Sequence, residues 1–152
     1  METMMDLLEA AQGAGGEANG ANAHFSTVSS DTRTIKDGAL FVALRGERFD
    51  GHEYIAAAQA RGAVAAMVDR RARASAVSGD SPLPLLVVDD TRLGLGRLAA
   101  YWRRKFKLPL IAVTGSNGKT TVKEMIASIL AEHAGAGRSY ATPGNLNNDI
   151  GL

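Results

Sequence analysis

Lys119 and Thr120 stand directly after Gly115, Ser116, Asn117 and Gly118 in the stretch VTGSNGKTTVKEM, where the chain's residue types first suggest chemistry. A glycine-rich turn that opens a helix leaves backbone N–H groups without intrahelical acceptors, and the helix dipole adds positive potential there. Gly115 and Gly118 let the backbone close into a concave nest, to which Ser116 and Asn117 add further N–H groups. Lys119 brings a compact charge to the β- and γ-phosphates of a nucleotide, and the Thr120 hydroxyl is placed to ligate Mg²⁺. Thr121 has two readings, a donor to an α- or β-phosphate or a side chain packed under the helix. The usual spacing puts another glycine at position 113; Val113 stands there, so the turn is shortened to G-x-x-G-K-T. A bare GKT would read as an ordinary turn with an exposed lysine. A strand pattern before it and an amphipathic helix after it favour phosphate.

The elements that must hold this turn follow from apolar periodicity. LIAVT (110–114) reads as a strand, and the helix after the turn carries Val122, Met125, Ile126, Ile129, Leu130 and His133 on one stripe. Upstream, Met4–Gln12 suits a short amphipathic helix, GAGGEANGANAH a flexible surface loop, and FSTVSSDTR a strand ending in polar residues. ALFVAL, AVAAMV and LLVV are continuous apolar runs of strand length, and HEYIAAAQARG suits a helix closed by Gly62. DRRARASAVSGDSPLP is polar and turn-rich and reads as a mobile connection. Asp90 or Thr91 can cap a helix from Arg92 to Phe106, with Leu95, Leu98, Ala99, Trp102 and Phe106 on one face. The fold class is α/β: a small N-terminal domain over 1–108, then the start of a P-loop-type parallel-sheet domain over 109–152. The second domain is expected to be a truncated beginning, unstable by itself, and the chain a fragment.

Other candidate residues carry alternatives. Ser30, Asp31, Thr32 and Arg33 close a strand, where ligand-contacting groups lie in α/β folds, and an Arg can bind diphosphate in bidentate fashion. A strand-end salt bridge between Asp31 and Arg33 is the competing reading. Asn145, Asn147 and Asn148 form a cluster that helix or strand interiors disfavour, so a turn or cap accounts for them from residue type alone. Asp149 is of the same kind. His24, His52 and His133 show no metal-ligand spacing; His52 is expected to cap or pack a helix start. RRAR (70–73) and RRKFK (103–107) read as solvated faces.

Composition excludes several classes. With 45% hydrophobic and 22% charged residues, the 152-residue chain reads as globular. A formal charge of +1 gives no footprint for nucleic acid, and the absence of cysteine removes disulfides, thiolate nucleophiles and thiolate metal sites. Glu2, Asp6 and Glu9 stand where a signal peptide needs basic residues, and no apolar run approaches the roughly 20 residues of a membrane span. A cytoplasmic, monomeric protein is expected.

The shortened turn TGSNGKTT resembles the ATP loop of the Mur ligases, which build the peptide stem of peptidoglycan; folylpolyglutamate synthases share a similar loop. SSDTRTIKDGALFVALRGERFDGHEYI (29–55) resembles the N-terminal uridine-nucleotide domain of the ligases acting late on the stem. ATPGNLNNDIGL (141–152) and TVKEM are similar to the family members that add D-alanyl-D-alanine. The resemblance implies an ATP- and Mg²⁺-dependent amide ligase joining D-alanyl-D-alanine to a UDP-N-acetylmuramoyl-peptide through an acyl phosphate. It implies that Ser30, Asp31, Thr32, Arg33 and the Phe41–Gly46 segment border the uridine pocket. It also moves Asn145, Asn147 and Asn148 toward substrate or nucleotide contacts. The family's later Mg²⁺ carboxylate, modified lysine and amino-acid-binding domain have no counterpart here, so this chain alone is expected to be inactive. The alternatives are the ligase adding the preceding diamino acid, a non-catalytic nucleotide-binding module, and a P-loop kinase.

Overall fold

The apolar runs at 39–42, 63–68 and 85–88 form parallel strands because both faces of their sheet are covered. In the computed structural model, which describes residues 3–46, 49–72, 83–135 and 137–144, the chain divides into two units, Met1–Phe106 and Lys107–Leu152.

The first unit runs β1 (Met5–Asp6), α1 (Leu7–Ala14), β2 (Glu17–Asn19), β3 (His24–Phe25), β4 (Thr27–Ser29) and β5 (Ala39–Val42). A 3₁₀ turn (Gly51–Tyr54), α2 (Ile55–Ala60), β6 (Ala63–Asp69), β7 (Leu85–Val88) and α3 (Thr91–Arg104) follow. The main sheet has the order β2-β7-β6-β5-β4; β4 to β7 are parallel and β2 is antiparallel to β7. Successive side chains alternate between its faces. Leu40, Val42, Met67, Leu86 and Val88 bury against α1 (Leu7, Ala10, Ala14) and Leu98 of α3. Phe41, Ala66, Val68, Leu85 and Val87 bury against α2 through Ile55 and Ala58. Burying these side chains, at about 1.5–3 kcal/mol each, is the main stabilisation of the unit.

Several boundaries move for identifiable reasons. α1 begins at Leu7 rather than Met4, because the Asp6 carboxylate caps it by accepting the Glu9 N–H at 2.8 Å while Met5 and Asp6 pair with β3. The expected loop after it contains β2. Gly15 ends α1 with φ at 70°, and a Cβ on Gly16 would lie 2.5 Å from the Val87 carbonyl oxygen, so glycine lets the chain turn back against β7. The single strand read in FSTVSSDTR is divided into β3 and β4, which pair in different sheets.

α3 is capped by Asp90, whose carboxylate accepts the Leu93 N–H at 2.9 Å. Its buried face is Thr91, Gly94 and Leu98, with Leu95, Tyr101 and Trp102 partly covered, whereas the expected Ala99 and Phe106 are exposed. Gly94 is the pivot: a Cβ there would meet Val88 and Met67 at 3.1–3.2 Å, so the helix lies closest to the sheet at this residue and its face turns accordingly. RRKFK is less solvated than expected, since Lys105 pairs with Glu9 of α1 and lies 5.0 Å from the Trp102 ring centre. Of the polar connection, 70–72 is helical, with the Ala72 N–H donating to Asp69 at 2.8 Å; 73–82 lies outside the described residues.

The second unit contains α4 (Lys119–Ala134). Residues 110–114, expected as a strand, form no ladder among the described residues, and a strand exists only through a hydrogen-bonded neighbour. The apolar stripe of α4 is open: Val122, Met125 and Ile129 are 44%, 61% and 65% exposed.

Candidate functional site

Gly118 caps α4 at φ 74°, a left-handed conformation costly for any residue with a Cβ. The Val122 N–H donates to the Gly118 carbonyl at 2.9 Å, so the helical ladder starts there. Amides before Val122 therefore have no carbonyl four residues back within the helix, the arrangement that suits an anion. Lys119, the first helical residue, folds its ammonium back to donate to the Gly115 carbonyl at 2.6 Å, tying the two ends of the turn together. Ser116, Asn117, Thr120 and Thr121 are exposed around it.

Sequence reasoning missed Lys123. Its ammonium donates to the Thr142 and Gly144 carbonyls at 2.5 and 3.0 Å and pairs with Glu124 at 2.9 Å, holding 142–144 beside the first turns of α4. The available signal was its spacing, four residues beyond Lys119 on the same helix face. Asn145, Asn147, Asn148 and Asp149 lie outside the described residues.

In the first unit, residues 30–33 follow β4 at the C-terminal edge of the parallel strands, where ligands bind in open α/β sheets. Asp31 and Arg33 adopt the pairing that competed with a ligand role: Arg33 Nη2 donates to Asp31 Oδ2 at 2.7 Å, and its Nε and backbone N–H add 2.9–3.1 Å bonds. The Arg33 hydrogen bonds pull the Asp31 carboxyl down to about 2. The Thr32 carbonyl accepts from Arg61, and Ser29 Oγ bonds the Asp31 backbone, fixing the turn from both sides. Gly46 lies in the hairpin after β5, its N–H donating to the Phe49 carbonyl at 3.0 Å.

The strand edge also holds Arg45, Asp50, His52 and Asp69, a cluster of which only His52 and its packing role were expected. Arg45 Nη1 lies 2.8 Å from Asp50 Oδ2, and Arg45 Nη2 lies 3.0 Å from Asp69 Oδ2. His52 Nδ1 is 2.5 Å from Asp50 Oδ1, and His52 Nε2 accepts the Asp69 backbone N–H at 3.1 Å. Burial would raise the Asp50 carboxyl, but hydrogen bonds from His52 and the Arg45 charge outweigh it and hold it below the ordinary value. At Asp69, burial is outweighed by the hydrogen bonds from the Ala72 N–H and Arg45 and by the Arg45 charge, which hold the carboxyl below its ordinary value. Both stay ionised at neutral pH. The missed signal was DGH (50–52) three residues after LRG (44–46).

A parallel sheet with polar turns at its C-terminal edge, and a helix opened by a glycine-lysine turn, define an α/β protein with a P-loop-type turn. Residues 24–103 match the Mur ligase family catalytic domain and residues 113–152 the Mur ligase middle domain. The chain belongs to the Mur ligase family. It is 47% identical over 137 residues to the UDP-N-acetylmuramoyl-tripeptide–D-alanyl-D-alanine ligase of Escherichia coli, covering 90% of this chain and 28% of that protein. A crystal structure of MurF from Acinetobacter baumannii superposes with a TM-score of 0.82 at 37% identity, covering 99% of this chain and 32% of that one. MurF from Thermotoga maritima, solved in complex with ADP, gives 0.66 at 34% identity over 83% of this chain and 27% of that one. The chain thus spans about a third or less of the relatives it matches.

Proposed function

We propose that this chain carries the nucleotide-sugar domain (1–108) and the opening of the ATP domain (109–152) of a ligase that joins D-alanyl-D-alanine to UDP-N-acetylmuramoyl-tripeptide. The observation that carries the reading is the G-x-x-G-K-T turn at the N-terminus of α4, with Lys119 folded across it. In the proposed reaction an oxygen of the tripeptide's terminal carboxylate attacks the γ-phosphorus of ATP, and ADP leaves. The amine of D-alanyl-D-alanine then attacks the carbonyl carbon of the acyl phosphate, phosphate departs, and the amine proton passes to solvent. This chemistry needs positioning and charge neutralisation more than a protein nucleophile.

Lys119 stabilises phosphoryl charge, while Gly115, Ser116, Asn117, Gly118 and Thr121 bind the nucleotide phosphates. The Thr120 hydroxyl, a hard oxygen donor exposed in the first turn of α4, fits Mg²⁺. When bound, that ion offsets charge on the phosphate oxygens. Ser30, Asp31, Thr32, Arg33 and Gly46 contact the UDP-sugar; Asn145, Asn147 and Asn148 contact substrate or nucleotide. No described helix is long and apolar enough to cross a membrane, and we assign the protein to the cytoplasm as a monomer.

A second reading within the family is supported by one relative, the UDP-N-acetylmuramoyl-L-alanyl-D-glutamate–2,6-diaminopimelate ligase of Aquifex aeolicus, 38% identical over 69% of this chain. Thermal shift separates the two, because a ligand at free concentration L stabilises the folded unit by RT ln(1 + L/Kd), so the tighter ligand gives the larger shift at equal concentration. UDP-N-acetylmuramoyl-tripeptide is expected to raise the melting temperature of the 152-residue chain more than the dipeptide compound does. A larger rise with the dipeptide would sink the D-alanyl-D-alanine assignment.

A further inference from the structure

Among the described residues, the Arg45–Asp50 hairpin is closed by the Arg45–Asp50 bridge, the Gly46 N–H to the Phe49 carbonyl, and the Gly51 N–H to the Leu44 carbonyl. What fastens it to the sheet is Asp50. One carboxylate oxygen takes both the backbone N–H and the ring Nδ1 of His52, and the other takes Arg45. The far side of the His52 ring reaches β6, where Nε2 accepts the Asp69 N–H. A nitrogen that accepts a hydrogen bond carries a lone pair, so the proton of the neutral ring sits on Nδ1 and faces Asp50. The imidazole, 8% exposed, thus spans the hairpin and the end of β6.

We propose that neutral His52, in its Nδ1–H form, is the positioning residue that fixes the Arg45–Asp50 hairpin on the C-terminal edge of the sheet and so sets Gly46 against a nucleotide-sugar diphosphate. The ligand part rests on the function proposed above. Arg45 runs beside the ring as a second strut between Asp50 and Asp69. Its charge is offset by two carboxylates, so Arg45 acts here as a brace and not as a free guanidinium.

The test uses the whole 152-residue chain. Nitrogen-15 NMR of its histidines should find His52 protonated at Nδ1 and bare at Nε2; a proton on Nε2 would overturn the proposal. In His52→Ala, hydrogen exchange at the Gly46 and Gly51 amides should accelerate about tenfold, the scale of one lost buried hydrogen bond. Calorimetric affinity for UDP-N-acetylmuramoyl-tripeptide should fall by about the same factor. His52→Gln, whose side-chain oxygen can replace Nε2 as acceptor for Asp69, should recover part of both, and it carries the test if the alanine variant does not fold. Unchanged exchange in both variants overturns the role of His52, and loosened exchange with unchanged affinity overturns its role toward the ligand. If exchange loosens but the parent chain binds no UDP compound, the fixing of the hairpin stands and the nucleotide-sugar reading falls.

Discussion

Lys119→Met, placed in a ligase of the relatives' full length, is expected to lower ATP-dependent turnover about 10²- to 10³-fold without changing the melting of the first unit. The Lys119 ammonium bonds the Gly115 carbonyl at the mouth of the turn, where the proposed function puts the ATP phosphates. Removing one preorganised charge partner of a developing transition state costs about 2.7–4 kcal/mol, which is that fold-change. The first unit is spared because Lys119 lies in the second unit, outside both hydrophobic clusters of the first. Arginine is a poor substitute, since its planar fork cannot replace a compact ammonium in so short a turn. Steady-state ADP release checks this, and wild-type turnover in Lys119→Met would remove the turn from the reaction.

Leu40→Ala is expected to lower the melting temperature of the first unit by about 8–40 °C. Leu40 is fully buried at the centre of β5, between Val28 of β4 and Ala65 of β6, and faces the α1 and α3 side of the sheet. Leu→Ala at such positions costs about 2–5 kcal/mol, because the cavity adds to the lost transfer energy. For a domain near 100 residues, each kcal/mol shifts the midpoint by about 4–8 °C. Ellipticity melts measure it. A shift below about 5 °C would mean that α1 and α3 do not close-pack on β5.

The parallel strands were legible because burial on both faces leaves unbroken apolar runs at 39–43, 63–68 and 85–88, and Asp90 and Gly62 mark helix ends by side-chain type alone. β2 was hidden, since Glu17–Asn19 carries no strand pattern of its own and pairs only because Gly16 permits close approach to β7. The turn around α3 was hidden for a similar reason: Gly94 contributes nothing to an apolar count yet decides which face meets Met67 and Val88.

At the candidate site, Lys119 and its glycines were legible as a contiguous motif. The Arg45–Asp50–His52–Asp69 brace was not, because Asp69 is brought in from 24 residues beyond Arg45 by the pairing of β5 with β6. Lys123 was equally obscure, since its partners are backbone carbonyls, which carry no residue signature.

The central claim is that the phosphate turn and the strand-edge domain serve one amide-forming reaction. ADP release by a full-length ligase bearing these residues tests it most directly. The account predicts release that requires both UDP-N-acetylmuramoyl-tripeptide and D-alanyl-D-alanine, with none from the 152-residue chain. Release driven instead by the dipeptide compound with a diamino acid, or release indifferent to D-alanyl-D-alanine, would contradict it.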